Sequence, residues 1–407
     1  MDAPSVLLLV DSLPAPHDPD PLYRIKNSFV YDIMKTVAGS HDVFHPLFVP
    51  FCPSIIKALY RMRGFELHFP SVRDELQQGI RTATVRYLFF PRQYIGNKAH
   101  ALAGYLKKRG EEFRVIHCHT IYDLGQVGME LKRKLSLPLV VSVYGSDVNL
   151  IFETGEFQPD KAIVEATKKV LIDADAVTCV SSDLAKKVES LGVPENRISW
   201  IPNGIDRAFF YYSDKMQERE SLGWPQDVKV ILFAGNIFES KGIDDLVEAV
   251  ALLINQSEIT ADLKVLVAGR LNEYQSQVRD RVKKLHMDGI FEFLGLQSQQ
   301  RIAGLMRASD VFCLPSWREG WPCVVLEAVA CGCPVVATDV GGIPEIVTDD
   351  SIGMLCPTRT PEKLANALAR AFGREWDREK ISRAADPYTY DKLAGKVEEV
   401  YCSVAGS

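Results

Sequence analysis

The stretch VILFAGNIFESKGIDDLVEAVALLINQSEITADLKVLVA, Val230–Ala268, decides the fold class. It begins with the short apolar run Val230–Ala234, continues through a helical pattern over Gly242–Leu253, and ends in the apolar run Val265–Ala268. Strands that are apolar throughout, without alternation, belong to parallel sheets covered on both faces. This β-α-β order predicts an α/β protein with a doubly wound parallel sheet.

The same alternation continues on both sides of this stretch. Helical patterns recur over Asp183–Leu191, Gln275–Leu285 and Pro361–Phe372, so both halves of the chain repeat the β-α-β order. The predicted buried strands, apart from the two above, are Leu7–Val10, Val115–His117, Leu139–Val143, Ala176–Val180, Ile198–Ile201, Phe291–Leu294, Val311–Leu314 and Val335–Ala337.

The two halves meet at IPNGID, Ile201–Asp206, where a proline and an Asn-Gly pair stop regular structure. A polar, charged stretch follows before the second series of strands begins. We therefore expect one domain over residues 1–204 and another over residues 205–386. The final segment, 387–407, has a helical pattern over Tyr390–Val404 that suits packing on either domain.

Composition narrows the class of protein. The chain has 407 residues, 47% hydrophobic and 25% charged, which excludes collagenous, disordered and disulfide-scaffold proteins. A net charge of −6 argues against a nucleic-acid binder. Nine cysteines without small-domain spacing predict reduced thiols in a cytoplasmic protein. The leading apolar run, Val6–Val10, is shorter than a secretory segment, and no run approaches the ~18 residues of a membrane span.

Positive charge is concentrated in one segment. Residues 54–110 carry eleven basic and three acidic residues, a local charge of +8 in a chain of −6. The stretch PSIIKALYRMR, Pro53–Arg63, combines apolar and basic residues in one short helical pattern. This pattern suits an interfacial helix that docks on an anionic membrane surface, and it also suits an ordinary core-facing helix. The charge excess itself is equally compatible with a solvated face.

The most informative motif is PSWREGWPCVVLEAVACGCP, Pro315–Pro334. Pro322 suits the first turn of a helix, and the residues from Cys323 onward are apolar on every side except at Glu327, which predicts a buried helix. Because a glutamate is rarely buried alone, either a basic side chain pairs with Glu327 or its carboxylate binds ligand hydroxyls. Glu319 lies just before the helix, near its free N–H groups. This combination suits a ligand that bears both hydroxyls and phosphate.

The motif resembles glycosyltransferase family 4, a retaining family with the Glu-x7-Glu spacing seen in EGWPCVVLE. IPNGID, KGIDDLVEA, FLGL and ACGCPVVATDVGGIPEIV also resemble the family and occur in its order. The whole pattern is similar to bacterial polysaccharide-assembly members, such as teichuronic acid biosynthesis glycosyltransferases. The resemblance implies the GT-B fold, two Rossmann-like domains that face a cleft. It places the acceptor on residues 1–204, the nucleotide-sugar donor on 205–386, and the C-terminal helix within 387–407 on the first domain.

The resemblance also implies roles for individual residues. Glu327 would bind the ribose hydroxyls of the donor, and Lys241 would neutralise its diphosphate, the alternative for Lys241 being a solvated lysine at a helix N-terminus. Glu319, Tyr144 and Asp147 occupy the catalytic positions, with Glu319 on hydroxyls of the transferred sugar. The backbone amides of the stretch Gly320–Cys323 would hold sugar or phosphate. The predicted donor-binding set is Asn236, Lys241, Leu296, Glu319, Gly320, Trp321, Pro322, Cys323 and Glu327.

Three positions depart from the family pattern. Asn236 stands where an arginine is common, five residues before Lys241, so one phosphate-facing charge is lost. PDPLYRIKNSF replaces a Gly-Gly turn after the first strand, and we expect its Arg24 and Lys26 to supply charge on the acceptor side. Tyr144 replaces the histidine of a His-Gly-x-Asp motif, which touches the donor sugar near the reacting carbon. A tyrosine hydroxyl can hydrogen-bond there but stays neutral near pH 7.

His117 and His119 lie on either side of Cys118 at the end of a predicted strand. Positions i and i+2 share one face of a strand, but two histidines without a further ligand do not make a zinc site. We therefore expect no metal. We assign His119 to the acceptor-side lining of the cleft, the alternative being that both histidines are structural.

The resemblance implies a retaining hexosyltransferase that moves a sugar from a nucleoside diphosphate sugar to a hydroxyl of a glycan or lipid-linked acceptor. No cofactor is expected, and the family implies front-face substitution in cell-surface polysaccharide biosynthesis. The expected location is cytoplasmic, peripheral on the inner face of the membrane. Two alternatives remain: a non-catalytic partner subunit that binds a nucleotide sugar, and an epimerase or phosphorylase of the same architecture. Asn236 and Tyr144 motivate the first, whereas Glu319, Glu327 and Lys241 argue against it.

Overall fold

The computed structural model describes residues 5–10, 28–51, 76–77, 80–88, 93–152, 160–255, 262–270 and 273–406. The chain divides into two compact units. Unit 1 comprises Met1–Asn203 and Tyr390–Ser407, and unit 2 comprises Gly204–Thr389. Among the described residues, no helix is both long enough and apolar enough to cross a lipid bilayer.

Unit 1 is built on an eight-stranded sheet with the order β3-β4-β2-β1-β5-β6-β7-β8. The pair β3–β4 is antiparallel, and the remaining pairs are parallel. The strands are β1 (Val6–Leu9), β2 (Val43–Phe51), β3 (Leu76–Gln77), β4 (Ile80–Leu88), β5 (Val115–Cys118), β6 (Leu139–Val143), β7 (Ala176–Cys179) and β8 (Ile198–Trp200). The α-helices are Ser28–Val37, Tyr94–Arg109, Gln126–Leu135, Ser146–Asn149, Lys161–Asp173, Ser182–Ser190 and Tyr390–Ala405.

The helix Tyr390–Ala405 completes the core of unit 1. Its residues Leu393, Val397 and Tyr401 are buried in the same apolar cluster as Val6 and Met34. Burying each large apolar side chain contributes about 1.5–3 kcal/mol. The last helix of the described chain is therefore an integral part of the first unit.

Unit 2 is built on a six-stranded parallel sheet with the order β11-β10-β9-β12-β13-β14. The strands are β9 (Lys229–Ala234), β10 (Leu263–Ala268), β11 (Phe291–Gly295), β12 (Val311–Leu314), β13 (Val335–Thr338) and β14 (Gly353–Cys356). The α-helices are Lys215–Leu222, Ile243–Asn255, Glu273–Lys284, Gln299–Ala308, Cys323–Ala330, Ile343–Ile346, Pro361–Phe372 and Arg378–Arg383. Both units are thus Rossmann-like, as the repeated β-α-β pattern predicted.

The ten predicted strands are all present, with each end within two residues of its predicted position. β2, β3, β4 and β14 were not predicted. In both sheets the strand order reverses around a central strand, β1 in unit 1 and β9 in unit 2. Loops at the carboxyl ends of strands beside such a reversal form the ligand crevice of doubly wound sheets. The loops after β9 and β12 in unit 2, and those after β1 and β5 in unit 1, are therefore where functional residues are expected, and the loop after β1 lies outside the described residues.

Candidate functional site

In unit 2, the loop after β9 packs directly on the loop after β12. Gly242 has φ +66°, and a Cβ at this position would lie 1.9 Å from the carbonyl oxygen of Pro315, so a side chain is excluded. The backbone N–H of Trp317 donates to the carbonyl of Ser240 at 2.8 Å. These main-chain contacts bring Lys241 beside Glu319, although 78 positions separate them in sequence.

Lys241 and Glu319 form an ion pair. Lys241 Nζ lies 2.6 Å from Glu319 Oε1, and Ser316 Oγ donates to the same oxygen at 2.7 Å. The Glu319 side chain is 8% exposed and the Lys241 side chain 27% exposed. The carboxylate is therefore held in one orientation, while the ammonium keeps enough exposure to bind a further anion with its remaining donors.

The segment from Glu319 to the helix Cys323–Ala330 is held by the loop after β13. Gly341 has φ +54°, and a Cβ there would lie 2.2 Å from the carbonyl oxygen of Glu319. The N–H of Gly342 donates to the carbonyl of Gly320 at 2.9 Å. The close approach and positive φ explain the first glycine of the pair, Gly341.

Trp321 and Pro322 lead into the helix Cys323–Ala330. The Trp321 side chain is buried, with its ring centroid 5.3 Å from that of Tyr388. Pro322 occupies the N-cap position without a side-chain hydrogen bond, and its carbonyl accepts from the first-turn N–H of Val325 at 2.9 Å. The start of a helix carries the positive end of the helix dipole, which favours an anion.

Glu327 is a half-buried carboxylate on an otherwise apolar helix, as its position in the motif predicted. Among the residues that the structure describes, none donates a hydrogen bond or forms an ion pair with it. Burial raises its pKa to about 7. Of the two alternatives from the sequence, pairing with a basic side chain is therefore not observed within the described ranges, and the carboxylate is available to a ligand.

Asn236 and Leu296 follow β9 and β11, and both are exposed. The carbonyl of Asn236 accepts from the N–H of Phe238 at 3.1 Å in a tight local turn. Gly269 packs so closely on this turn that a Cβ would lie 1.9 Å from the carbonyl oxygen of Gly235. Both predicted donor-binding residues thus lie on the carboxyl edge of the unit 2 sheet.

In unit 1, His119, Tyr144 and Asp147 come together at the carboxyl ends of β5 and β6. His119 Nδ1 and the Tyr144 hydroxyl are 2.5 Å apart, and the two rings stack with centroids 5.9 Å apart. Asp147 lies in the short helix Ser146–Asn149 and accepts a bond from the N–H of Ile121 at 3.4 Å. The three predicted residues of unit 1 therefore form one cluster.

His117 is a core residue. Its Nδ1 lies 2.6 Å from the Tyr401 hydroxyl and its Nε2 lies 2.8 Å from Ser142 Oγ, so both ring nitrogens are engaged. Burial lowers its pKa to about 3 and lowers the pKa of His119 well below the usual value, so both rings are neutral near pH 7. No group of three His, Cys, Asp or Glu side chains suited to a metal ion occurs in the described ranges.

Local sequence patterns missed three of these contact residues. Tyr401 lies 284 positions from His117, and Ser142 and Ser316 are small polar residues inside apolar contexts. The only available signal was their position at or near predicted strands or in the C-terminal helical pattern. None of these signals distinguishes a site residue from an ordinary core residue.

Arg24, Lys26 and the stretch 53–63 lie outside the described residues. Within the described part of the basic segment, two of the cations are paired with acids. Arg81 bonds Asp42 and Glu111 at 2.7 and 3.3 Å, and Lys98 bonds Asp123 at 2.8 Å. The effective positive charge of this segment is therefore lower than its composition alone indicates.

Models of glycosyltransferase families match both halves of the chain. The family model "Glycosyltransferase Family 4" matches residues 54–209, and "Glycosyl transferases group 1" matches residues 214–387. A D-inositol 3-phosphate glycosyltransferase from Saccharomonospora viridis is 32% identical over 282 residues, which cover 67% of this chain and slightly under two thirds, 65%, of that protein.

Solved structures match over nearly the full length. Sucrose-phosphate synthase from Thermosynechococcus elongatus superposes with a TM-score of 0.75 at 20% identity, covering 98% of both chains. HepE from Anabaena, solved in complex with UDP, superposes with a TM-score of 0.73 at 18% identity, covering 98% of this chain and all of that one. These likenesses show the GT-B fold class, two Rossmann-like domains. The two family models, together with a D-inositol 3-phosphate glycosyltransferase from Geodermatophilus obscurus that is 30% identical over 72% of this chain and 67% of its own length, place this chain in glycosyltransferase family 4.

Proposed function

We propose that this protein is a retaining glycosyltransferase that moves a sugar from a nucleoside diphosphate sugar to a hydroxyl of a glycan or lipid-linked acceptor in cell-surface polysaccharide biosynthesis. The observation that carries the proposal is the arrangement around the helix Cys323–Ala330. The Lys241–Glu319 ion pair lies before its N-terminus, and the unpaired Glu327 lies on it. A nucleotide sugar offers a diphosphate for the cation and hydroxyls for the carboxylates.

The leaving group explains the cation. As the bond between the anomeric carbon and the diphosphate oxygen breaks, negative charge accumulates on the phosphate. Lys241 and the first-turn N–H groups of the helix Cys323–Ala330 would stabilise that charge from fixed positions. Glu319 holds Lys241 in place before the donor arrives.

The carboxylates explain recognition of the sugar and ribose. Glu327 would accept hydrogen bonds from the ribose hydroxyls, because a desolvated carboxylate gains most from charge-assisted bonds. Glu319 would contact hydroxyls of the transferred sugar. HepE, a structural neighbour, is solved with UDP, which supports a nucleotide ligand for this fold.

The acceptor would be oriented by unit 1, with His119 on the acceptor side and Tyr144 and Asp147 near the reacting carbon. In a front-face substitution, the acceptor oxygen bonds to the anomeric carbon on the side from which the phosphate leaves. Because the new bond forms on the face that the phosphate leaves, configuration is retained, and the departing phosphate oxygen takes the acceptor proton. The protein then acts through positioning and through stabilisation of the leaving group.

A two-step experiment tests this proposal. A thermal-shift screen with UDP, GDP, ADP and their sugars identifies the donor, and a labelled donor then measures transfer to candidate glycan and lipid-linked acceptors. We expect stabilisation by one nucleotide series and an α-linked product from an α-linked donor, read by the anomeric proton signal. Binding without turnover would favour the non-catalytic subunit, and inversion at the sugar carbon without transfer would favour the epimerase.

A pair of variants assigns the activity to the site. Glu319→Gln removes the charge that holds Lys241, whereas Glu375→Gln changes an exposed glutamate of the same unit. We expect the first variant to lose transfer by about 10²-fold or more and the second to match the parent. Equal activity of both variants would contradict the proposed site.

We also propose that the basic segment 54–110 brings the enzyme to an anionic membrane surface, where a lipid-linked acceptor would present its hydroxyl. Each basic residue near such a surface contributes about 1 kcal/mol. Co-sedimentation with anionic vesicles should decrease in a Lys57/Arg61/Arg63→Glu variant and at high salt. Equal, salt-insensitive partitioning of variant and parent would contradict this proposal.

A further inference from the structure

The C-terminal helix reaches the candidate site of unit 1 through a polar contact inside the core. Tyr401 on the helix Tyr390–Ala405 is fully buried, and its hydroxyl lies 2.6 Å from His117 Nδ1. His117 Nε2 lies 2.8 Å from Ser142 Oγ, which lies 2.7 Å from Thr178 Oγ1. Because both ring nitrogens are bonded from opposite sides, the position and plane of the His117 ring are determined by the helix and by strands β6 and β7.

His117 in turn supports His119. The two ring centroids are 4.0 Å apart with an interplanar angle of 37°, which is direct ring contact. On its other side, His119 bonds the Tyr144 hydroxyl at 2.5 Å and stacks on the Tyr144 ring. His119 is 4% exposed, and its Nε2 has no hydrogen-bond partner among the described residues. The orientation of His119 therefore depends on Tyr144 and on the packing of His117.

Among the described residues, no second hydrogen bond holds the His119 ring. An imidazole whose second nitrogen lacks a partner is held by one hydrogen bond and by its ring contacts alone. If the His117 ring turned, His119 would lose the surface on which it packs, and the Tyr144 hydroxyl would lose a fixed partner. Tyr401 is the group that prevents this turn from the side of the C-terminal helix.

We propose that Tyr401 is a positioning residue that orients the Tyr144 hydroxyl through His117 and His119. The inference deepens the proposed function, because it rests on Tyr144 lying near the reacting carbon. It also explains how a tyrosine serves where the family has a histidine, since a buried, neutral His119 stands behind the hydroxyl and determines its direction. Tyr401 itself contacts neither substrate nor reacting atoms in this scheme.

Tyr401→Phe tests the proposal, because it removes one hydroxyl and keeps the apolar ring that packs the helix. We expect kcat to fall about 5- to 20-fold with little change in KM for the donor, since misorientation affects the transition state more than binding. Val397→Ala, on the same helix and in the same core, is the matched control. It should lower thermal stability at least as much while leaving kcat within about twofold of the parent.

A double-mutant cycle separates positioning from structural stabilisation. If Tyr401 acts through Tyr144, the effect of Tyr401→Phe on kcat should disappear in a Tyr144→Phe background, while its effect on thermal stability should persist. Additive losses of kcat would overturn the proposal. Ser142→Ala, which removes the second partner of His117, should reproduce the kcat loss even if Tyr401→Phe folds poorly.

Side-chain nitrogen NMR of the histidines gives a readout independent of turnover. In the Tyr401→Phe protein, the ring signals of His119 should shift together with those of His117, whereas Val397→Ala should leave both close to the parent. Unmoved His119 signals would overturn the positioning chain. In a protein that transferred no sugar, shifted His119 signals would still support the chain, and the lack of transfer would count against the proposed function alone.

Discussion

The two strand-end clusters differ in charge. In unit 2, Lys241, Glu319 and Glu327 place one cation and two acids around the first turn of a helix. In unit 1, His119 and Tyr144 are both neutral, and Asp147 is half-buried beside them. Both clusters lie at the carboxyl ends of parallel strands; the unit 2 cluster follows the two strands at the reversal of strand order, whereas the unit 1 cluster follows β5 at the reversal and the next strand, β6.

This difference indicates a division of tasks between two similar folds. Fixed charges are most effective where charge develops during a reaction, which in the proposed transfer is on the leaving diphosphate. Neutral hydrogen-bonding groups orient hydroxyls without adding a competing charge. In the proposed transfer, the same sheet edge would serve charge stabilisation in unit 2 and orientation in unit 1.

Replacing the cation should give the largest effect. Lys241→Met keeps much of the apolar stem but removes the charge that faces the leaving group. We expect kcat for sugar transfer to fall about 10²- to 10³-fold. Lys229→Met, at the other end of strand β9, is a control that should change kcat less than twofold. A similar loss in both variants would contradict the special role of the charge at residue 241.

Glu327→Gln should weaken donor binding about ten- to a hundredfold, because a charge-assisted bond contributes about 1.5–3 kcal/mol. Since the pKa of Glu327 is about 7, the parent should bind the nucleotide sugar more tightly as pH rises from 6 to 8. The variant should show no such dependence. Titration calorimetry at pH 6, 7 and 8 measures both.

Glu327→Gln should also change how the free energy of unfolding depends on pH. Burial raises the pKa of Glu327 from 4.5 in the unfolded chain to about 7, so between these values the folded protein holds more protons. Its contribution to the free energy of unfolding therefore decreases as pH rises through this range. Glu327→Gln should abolish that decrease, and a strongly destabilised variant whose folded fraction binds the nucleotide as tightly as the parent would instead identify Glu327 as a structural residue.

The neutral character of unit 1 predicts a smaller effect, on acid stability. Burial lowers the pKa of His45 to about 4 and that of His117 to about 3, against 6.5 for an unfolded histidine. Below pH 6.5 the unfolded chain binds more protons, so the free energy of unfolding should fall by roughly 1 kcal/mol per histidine at pH 5.5. Urea unfolding at pH 7.5, 6.5 and 5.5 measures this. A His117→Asn protein with the same pH dependence as the parent would contradict it.

Chelation should have the smallest effect. In the proposed site, Lys241 and helix N–H groups would face the phosphate, and the described residues contain no convergent set of three metal ligands. We therefore expect transfer measured in excess EDTA to match the untreated rate. If EDTA abolished transfer and manganese restored it, a metal ion rather than Lys241 would be the main cation that stabilises the leaving diphosphate.

Much of the fold follows from strands that are apolar throughout, because burial on both faces leaves a continuous signal. The missed strands lack that signal. β2 contains Pro46 and Pro50, β4 alternates buried and partly exposed residues in IRTATVRYL, and β14 begins with Gly353. β4 and β14 lie toward the edges of their sheets. Residue preferences there differ from those of central strands, so a continuous apolar run is not required.

The candidate site could be predicted only in part. Glu319 and Glu327 stand out because charges interrupt an apolar motif, and the resemblance located Lys241. The contact of Lys241 with Glu319, and that of His117 with Tyr401, join residues 78 and 284 positions apart. Such contacts arise from tertiary packing, so periodicity and local motifs carry no information about them.

The membership of Tyr390–Ala405 in unit 1 has a consequence for the order of folding during synthesis. The chain leaves unit 1 after Asn203, completes all of unit 2, and only then supplies the helix that closes the first core. On the ribosome, unit 2 therefore has every residue it needs before unit 1 does, although domains usually mature from the N-terminus onward. Until that helix emerges, His117 lacks the Tyr401 hydroxyl, and nascent unit 1 exposes apolar surface that chaperones would recognise.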